Sequence, residues 1–156
     1  MLTIDIPERE TLKLKYLVLD FNGTLAKDGN LLSGVEERLN ALSEKLEIHI
    51  LTADTFGTGE KACRNIKGHV QVLKQGKGVN QKLKFIERLG LQNTVAVGNG
   101  TNDTLMLKNA ALGIAVLGPE GASVQALLAA DVVVKDICEG LDLLLHPVRL
   151  IATLRL

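Results

Sequence analysis

From Lys13 onward, short apolar runs rich in β-branched residues alternate with stretches whose apolar residues recur at helical spacing. That alternation is the signature of repeated βα units around a parallel sheet. The first predicted strand is Leu14 to Leu19, ending at Asp20, and a short loop through Gly29 leads to an amphipathic helix from about Val35, with Leu39, Leu42 and Leu46 on one face. Ile48 to Leu51 is the second strand, Thr52 to Gly59 a loop, Glu60 to Ile66 a helix and Val70 to Leu73 a brief third strand. After a loop at Gly76 to Gly78, a helix runs from about Asn80 to Leu89, and Gly90 supplies its C-terminal stop.

The remaining pattern reads as strand Thr94 to Val97, helix Asn102 to Asn109, strand Gly113 to Val116, helix Ala122 to Leu128, strand Val132 to Val134 and helix Ile137 to Leu145. The sum is an α/β fold: a doubly wound, three-layer sandwich around a mainly parallel sheet of about five or six strands. The tail after Pro147, VRLIATLRL, alternates charged and apolar residues and is expected to lie back on the domain or on another copy. No repeats or low-complexity stretches interrupt the chain.

Composition narrows the function classes. The 156 residues suit a single domain, residues 1–156, able to bury roughly two-thirds of its unfolded surface. The 18 basic and 18 acidic side chains cancel, so no global field draws in nucleic acid or an anionic membrane, and any anion must be held by a local site. With three Phe, one Tyr and no Trp, a base-stacking surface is not expected either. No apolar run approaches the roughly 18 to 20 residues of a membrane helix. The two cysteines, Cys63 and Cys138, are far apart in no metal-ligand spacing and read as small apolar groups, and a reducing cytoplasm is the expected location. His49, His69 and His146 have no partnering pattern and read as surface or structural.

In open parallel sheets ligands bind outside the carboxyl ends of the strands, which singles out three polar segments. Asp20-Phe21-Asn22-Gly23-Thr24-Leu25 follows the run YLVL directly, and a carboxylate there can attack phosphorus to form an aspartyl phosphate. Leu51-Thr52-Ala53-Asp54 follows IHI, with the Thr52 hydroxyl and neighbouring backbone N–H groups able to hold phosphate oxygens. Val97-Gly98-Asn99-Gly100-Thr101-Asn102-Asp103 brings oxygen ligands for a hard cation such as Mg²⁺. A lysine must neutralise phosphate and nucleophile together; Lys82 is the best placed, with Lys77 and Lys74 as alternatives. Taken singly, each of these residues has an ordinary reading as a turn residue or helix cap. Thr55 to Gly59, TFGTG, lacks the Gly-Lys-Ser/Thr ending of a phosphate loop and reads as the lead-in to a helix.

The order of the three segments resembles the haloacid dehalogenase-like (HAD) superfamily, and within it most nearly the phosphorylation domain of P-type ATPases, from Tyr16 to about Leu145. DFNGT at Asp20 to Thr24 matches D-x-D-G-T, LTAD at Leu51 to Asp54 is similar to the ATPase form LTGD, and Gly98 to Asp103 matches G-D-G-x-N-D. The resemblance implies a Mg²⁺-dependent phosphatase in which Asp20, Thr52 and Lys82 are catalytic. It implies that Asn22, Gly23, Thr52, Ala53, Lys82 and Asn102 surround the phosphate, and that Asp20, Asn22, Asn99 and Asp103 serve the metal.

Two family carboxylates are amides here. Asn22 stands where the phosphatases carry their general acid and base, so a slow breakdown of the aspartyl phosphate is expected. Asn99 replaces a metal-binding carboxylate with a neutral oxygen, which predicts weaker Mg²⁺ binding. These amides motivate a rival reading, a binding or regulatory module acting through protein partners. The gaps between the motifs leave no room for a cap domain or an inserted nucleotide-binding domain. The phosphorylated substrate is thus a small molecule or a macromolecule at an open site, with a second copy of the chain as a possible lid.

Overall fold

The computed structural model describes residues 1–74, 76 and 78–156. Its N-terminus forms an antiparallel pair, β1 (Leu2–Ile4) and β2 (Leu12–Leu14), before β3 (Tyr16–Asp20) enters the main sheet. The single strand expected from Leu14 to Leu19 is therefore two: backbone bonds from Lys15 to Asn93 and Glu47 mark the change of partner. A small hairpin follows, β4 (Ala26–Lys27) and β5 (Asn30–Leu31). Its turn residues Asp28 and Gly29 both have positive φ, 51° and 78°, as a two-residue hairpin turn that follows the strand twist requires.

The chain continues through α1 (Val35–Leu42), β6 (Glu47–Thr52), α2 (Thr58–Ala62), β7 (His69–Val72), α3 (Gly78–Leu89), β8 (Thr94–Gly98), α4 (Thr104–Asn109), β9 (Leu112–Val116), α5 (Val124–Ala129), β10 (Val132–Val134), α6 (Ile137–Leu145) and α7 (Pro147–Leu154). Six strands form one parallel sheet in the order β10-β9-β8-β3-β6-β7. From β3 the chain winds outward through β6 to β7, then crosses to the far side of β3 and winds outward again from β8. The reversal lies between β3 and β8, where an open sheet leaves a crevice at its carboxyl end.

Alternate residues of each strand point to opposite faces. Leu17, Leu19, Ile48, Ile50, Val95, Val97, Ile114 and Val116 join one buried cluster with α1, α6 and α7, whereas Val18, Leu51, Ala96 and Ala115 join a second with α3, α4 and α5. The N-terminal pair belongs to the first cluster through Leu2, Ile4 and Leu14. The tail lies back on this domain: Pro147 opens α7, and Leu150 and Leu154, one helical turn apart, are buried in the first cluster. α2 begins and ends earlier than the expected Glu60 to Ile66, with Gly57 at φ 79° before it and Cys63 closing it.

His49 is buried. Glu47 Oε1 lies 2.9 Å from its Nε2 but off the N–H direction, so neither ring nitrogen makes a hydrogen bond among the described residues. Burial pushes its pKa down, against the pull of Glu47. Cys63 is buried and burial pushes its thiol up to about 11, while Cys138 is only half-buried and lies 3.3 Å from the Ser33 carbonyl.

Candidate active site

Asp20 ends β3, and the next turn is wound back tightly: the N–H groups of Thr24, Leu25 and Ala26 all reach the Phe21 carbonyl, and Gly23 N–H donates to the Ala26 carbonyl. Gly23 has φ 79°, and a Cβ on it would stand 2.6 Å from Asn99 Nδ2. Only glycine lets this turn lie against the end of β8. The Thr24 hydroxyl, fully buried, lies 3.3 Å from Asp20 Oδ2 and 3.2 Å from Asn99 Oδ1. Asn99 Nδ2 donates to the Gly121 carbonyl at 2.9 Å, which turns its oxygen toward Thr24.

The second side of the site is built by Asp103 from below. Its Oδ2 accepts the N–H groups of Asn99 and Gly100 at 3.0 and 2.9 Å and so shapes the turn after β8. Its Oδ1 accepts from Lys82 Nζ at 2.5 Å, and the same ammonium donates to Asp20 Oδ1 at 2.6 Å. Lys82 is 3% exposed, Asp20 8% and Asp103 not at all, so the three charges interact with little solvent between them. α3 delivers Lys82 from its second turn, with Ile86 one turn on buried in the second cluster.

Two carboxylates and one ammonium leave the cradle with an excess negative charge. Burial first, and then repulsion from Asp103, raises the Asp20 carboxyl to about 7 despite Lys82 and Thr24, which pull it down. Burial alone would lower the Lys82 pKa, but the two carboxylates outweigh it and raise it. A buried anion held near neutrality is what a cation would relieve. The oxygens at hand are the Asp20 carboxylate, the Asn99 side-chain carbonyl and the Asn22 backbone, a hard donor set that fits Mg²⁺. No group of three His, Cys, Asp or Glu forms a metal cluster among the described residues.

A cavity of about 410 Å³ opens above this cradle, bounded by Asp20, Asn22, Ala53, Lys82, Asn99 and Asn102. Thr52 ends β6 beside it, 1% exposed, and its Oγ1 accepts the Asp54 N–H at 3.1 Å, which leaves its own proton free to donate. Asp54 then ties the lead-in to α2 by accepting the N–H groups of Phe56 and Gly59 at 2.8 and 3.2 Å, so TFGTG is a helix approach as the sequence suggests. Those backbone bonds hold the Asp54 carboxyl below the usual range.

The structure thus brings Asp20, Asn22, Gly23, Thr52, Ala53, Lys82, Asn99, Asn102 and Asp103 to one end of the sheet. Of the lysines named from sequence, Lys82 reaches Asp20; Lys74 is exposed on the cavity wall, and Lys77 lies outside the described residues. Asp103, expected to serve the metal, has both its oxygens committed to Lys82 and to backbone N–H groups, beneath the cavity floor. Thr24 is the residue that sequence reasoning passed over, although its place at the end of DFNGT signalled it.

Gly98 is needed for this arrangement, since a Cβ there would come within 2.5 Å of Asp103 Cγ and Oδ2. Gly98→Ala is expected to cost about 2 kcal/mol in urea unfolding by driving Asp103 out of its position. The same substitution made on an Asp103→Gly background, which also removes the Asp103 Cβ at 2.7 Å, should cost far less, because the clashing atoms are gone. Equal costs in both backgrounds would show that Gly98 matters for another reason.

Comparison with known proteins places this fold. The sequence model of the haloacid dehalogenase-like hydrolases matches residues 67–140. Uncharacterized protein MJ0073 of Methanocaldococcus jannaschii is 54% identical over 78 residues, covering 47% of this chain and 84% of that protein. Among solved structures, the 3-deoxy-D-manno-octulosonate 8-phosphate phosphatase of Moraxella catarrhalis, in complex with magnesium, phosphate and KDO, matches with TM-score 0.70 and 17% identity over 92% of this chain and 95% of that one. The cobalt-bound deoxy-D-mannose-octulosonate 8-phosphate phosphatase of Haemophilus influenzae matches with TM-score 0.68 and 13% identity, over 86% and 88%. The chain belongs to the haloacid dehalogenase-like hydrolase family. Among the described residues no separate cap covers the sheet's carboxyl end, and no helix is long and apolar enough to cross a membrane.

Proposed function

We propose that the protein is a Mg²⁺-dependent phosphohydrolase that works through an aspartyl phosphate on Asp20. The observation that carries this reading is the buried Lys82 ammonium bridging Asp20 and Asp103 at the topological switch point, directly under an open polar cavity. The solved relatives with magnesium, phosphate and cobalt in their complexes support it.

Asp20 would hold the cation together with the Asn22 backbone carbonyl and the Asn99 side-chain carbonyl, with Asp103 shaping the turn from behind. Mg²⁺ would supply charge neutralisation between the carboxylate and the incoming phosphate. An Asp20 carboxylate oxygen attacks phosphorus, the bond from phosphorus to the ester oxygen breaks, and the leaving oxygen takes its proton from solvent because Asn22 has none to give. The Lys82 ammonium, the Thr52 hydroxyl and the N–H groups of Asn22 and Ala53 hold the phosphoryl oxygens, with Gly23 bringing the turn close and the Asn102 side chain at the rim. Water then attacks phosphorus, releasing inorganic phosphate and the free Asp20 carboxylate.

The test is phosphate release from p-nitrophenyl phosphate and acetyl phosphate with and without Mg²⁺, followed by borohydride reduction of the protein during turnover. Mg²⁺-dependent release and conversion of residue 20 alone to homoserine, read by mass spectrometry, are expected. Absence of release from both compounds, with no modification at Asp20, would overturn the assignment.

A further inference from the structure

Leu73 and Lys74, which close one side of the active-site cavity, also wall a second and larger groove of about 520 Å³. This groove lies between the open edge of the sheet and one stripe of α3. Among the described residues β7 pairs on one side only, with β6, so its other edge faces the groove. From α3 come Gln81, Lys84, Phe85 and Arg88, at the helical spacing that puts them on one face. Lys82 and Ile86 point away from that face and are buried.

The groove carries one sign of charge. Lys74, Lys84 and Arg88 are exposed along it, and no Asp or Glu lines it among the described residues. In a chain whose charges cancel overall, this is a local positive field beginning at the rim of the phosphate site. The junction is held in place: Gln81 Nε2 donates to the Lys74 carbonyl at 2.9 Å. Phe85 and Val72 add apolar surface to the walls. Lys84 and Arg88, one turn apart on the helix, are spaced to bracket a single dianion, and the guanidinium can engage two of its oxygens.

We infer that this groove seats a second phosphate carried by the leaving group, so that the substrate class is a bisphosphorylated compound rather than a simple monoester. The inference rests on the proposed reading of Asp20 as the phosphoryl acceptor. With no cap among the described residues to enclose the leaving group, the cations of this groove supply the remote binding energy that would otherwise come from a lid.

The test uses ligands that cannot be hydrolysed. α,ω-Alkane bisphosphonates of graded length, and the matching alkyl monophosphonates, are titrated by calorimetry against the Mg²⁺-loaded protein. At one length the bisphosphonate is expected to bind about tenfold more tightly than its monophosphonate, the gain a pair of exposed cations can give. That gain should shrink as salt is raised. In Lys84→Gln/Arg88→Gln the ratio should fall to about twofold, the statistical advantage of two identical ends, with monophosphonate affinity unchanged. A ratio of about twofold at every length, or a larger ratio that survives the double substitution, overturns the inference. A wild type that keeps the tenfold ratio but releases no phosphate from p-nitrophenyl phosphate or acetyl phosphate, with Asp20 unmodified, defeats the hydrolytic reading and leaves the groove assignment standing.

Discussion

Asp20→Asn is expected to reduce phosphate release by about 10³-fold or more, and also to make the metal-free protein more stable above pH 7. The first effect follows from removing the attacking oxygen's charge. The second follows from the surroundings of the carboxyl group, which titrates near 3.8 in the unfolded chain and at about 7 when folded. Between those values the folded protein binds more protons at this position than the unfolded chain does. Its stability therefore falls as pH rises through the window, and the full penalty is present above about pH 7. Asparagine keeps the shape and carries no such penalty, while Lys82 retains Asp103 as a partner. The gain should be on the order of 2 kcal/mol at pH 8 after relaxation of the buried pair, and should disappear toward pH 4. Thermal melts of both proteins across that range, in the presence of a chelator, check it. A variant no more stable than wild type at pH 8 would mean that Lys82 fully offsets the burial of Asp20 and its repulsion by Asp103.

The fold was largely readable because burial on both faces forces continuous β-branched runs, and such runs stand out between helical stretches. Leu17 to Leu19, Ile48 to Leu51, Val95 to Val97 and Ile114 to Val116 all sit where the apolar pattern puts them. What escaped was determined by partners rather than by pattern. LKLKYLVL reads as one strand, yet at Lys15 the chain leaves an antiparallel partner for a parallel one, and nothing local to those residues signals the exchange. The β4–β5 hairpin is too short to show alternation, and its only mark is the Asp28-Gly29 pair. In the tail, the pattern of VRLIATLRL predicts no element, and only its packing shows that Leu150 and Leu154 follow the helical period.

The site was readable where chemistry is concentrated at strand ends, as with Asp20, Thr52 and Asn99, and where a helix position determines reach, as with Lys82. The division of labour between the acidic residues was not. Spacing alone could not show that Asp103 would spend both oxygens on backbone N–H groups and Lys82, since that depends on Gly98 leaving room beneath the turn. The groove beside β7 was equally hidden, because the edge position of a strand is a property of sheet order, not of its own sequence.

Restoring a proton donor should reveal how much the amide at position 22 costs. Asn22 is exposed and lines the same cavity as Asp20, so an aspartate there would face solvent and the leaving group without being buried. Asn22→Asp is expected to raise kcat/KM for simple alkyl phosphates by about 10²-fold, the lower end of what general acid catalysis contributes. kcat/KM reports the steps up to aspartyl phosphate formation, so it isolates proton donation to the leaving group from the later attack of water. The gain must then depend on how much that group needs a proton. An alkoxide is a poor leaving group and benefits fully; the carboxylate released from acetyl phosphate leaves without help, and for that substrate the variant should match wild type. A matched series from acetyl phosphate through p-nitrophenyl phosphate to an alkyl phosphate, assayed on both proteins, should show the ratio climbing with the basicity of the leaving oxygen. An equal gain on every member of the series would mean that the new carboxylate acts by strengthening the hold on the cation, and that the missing proton is not what limits this site.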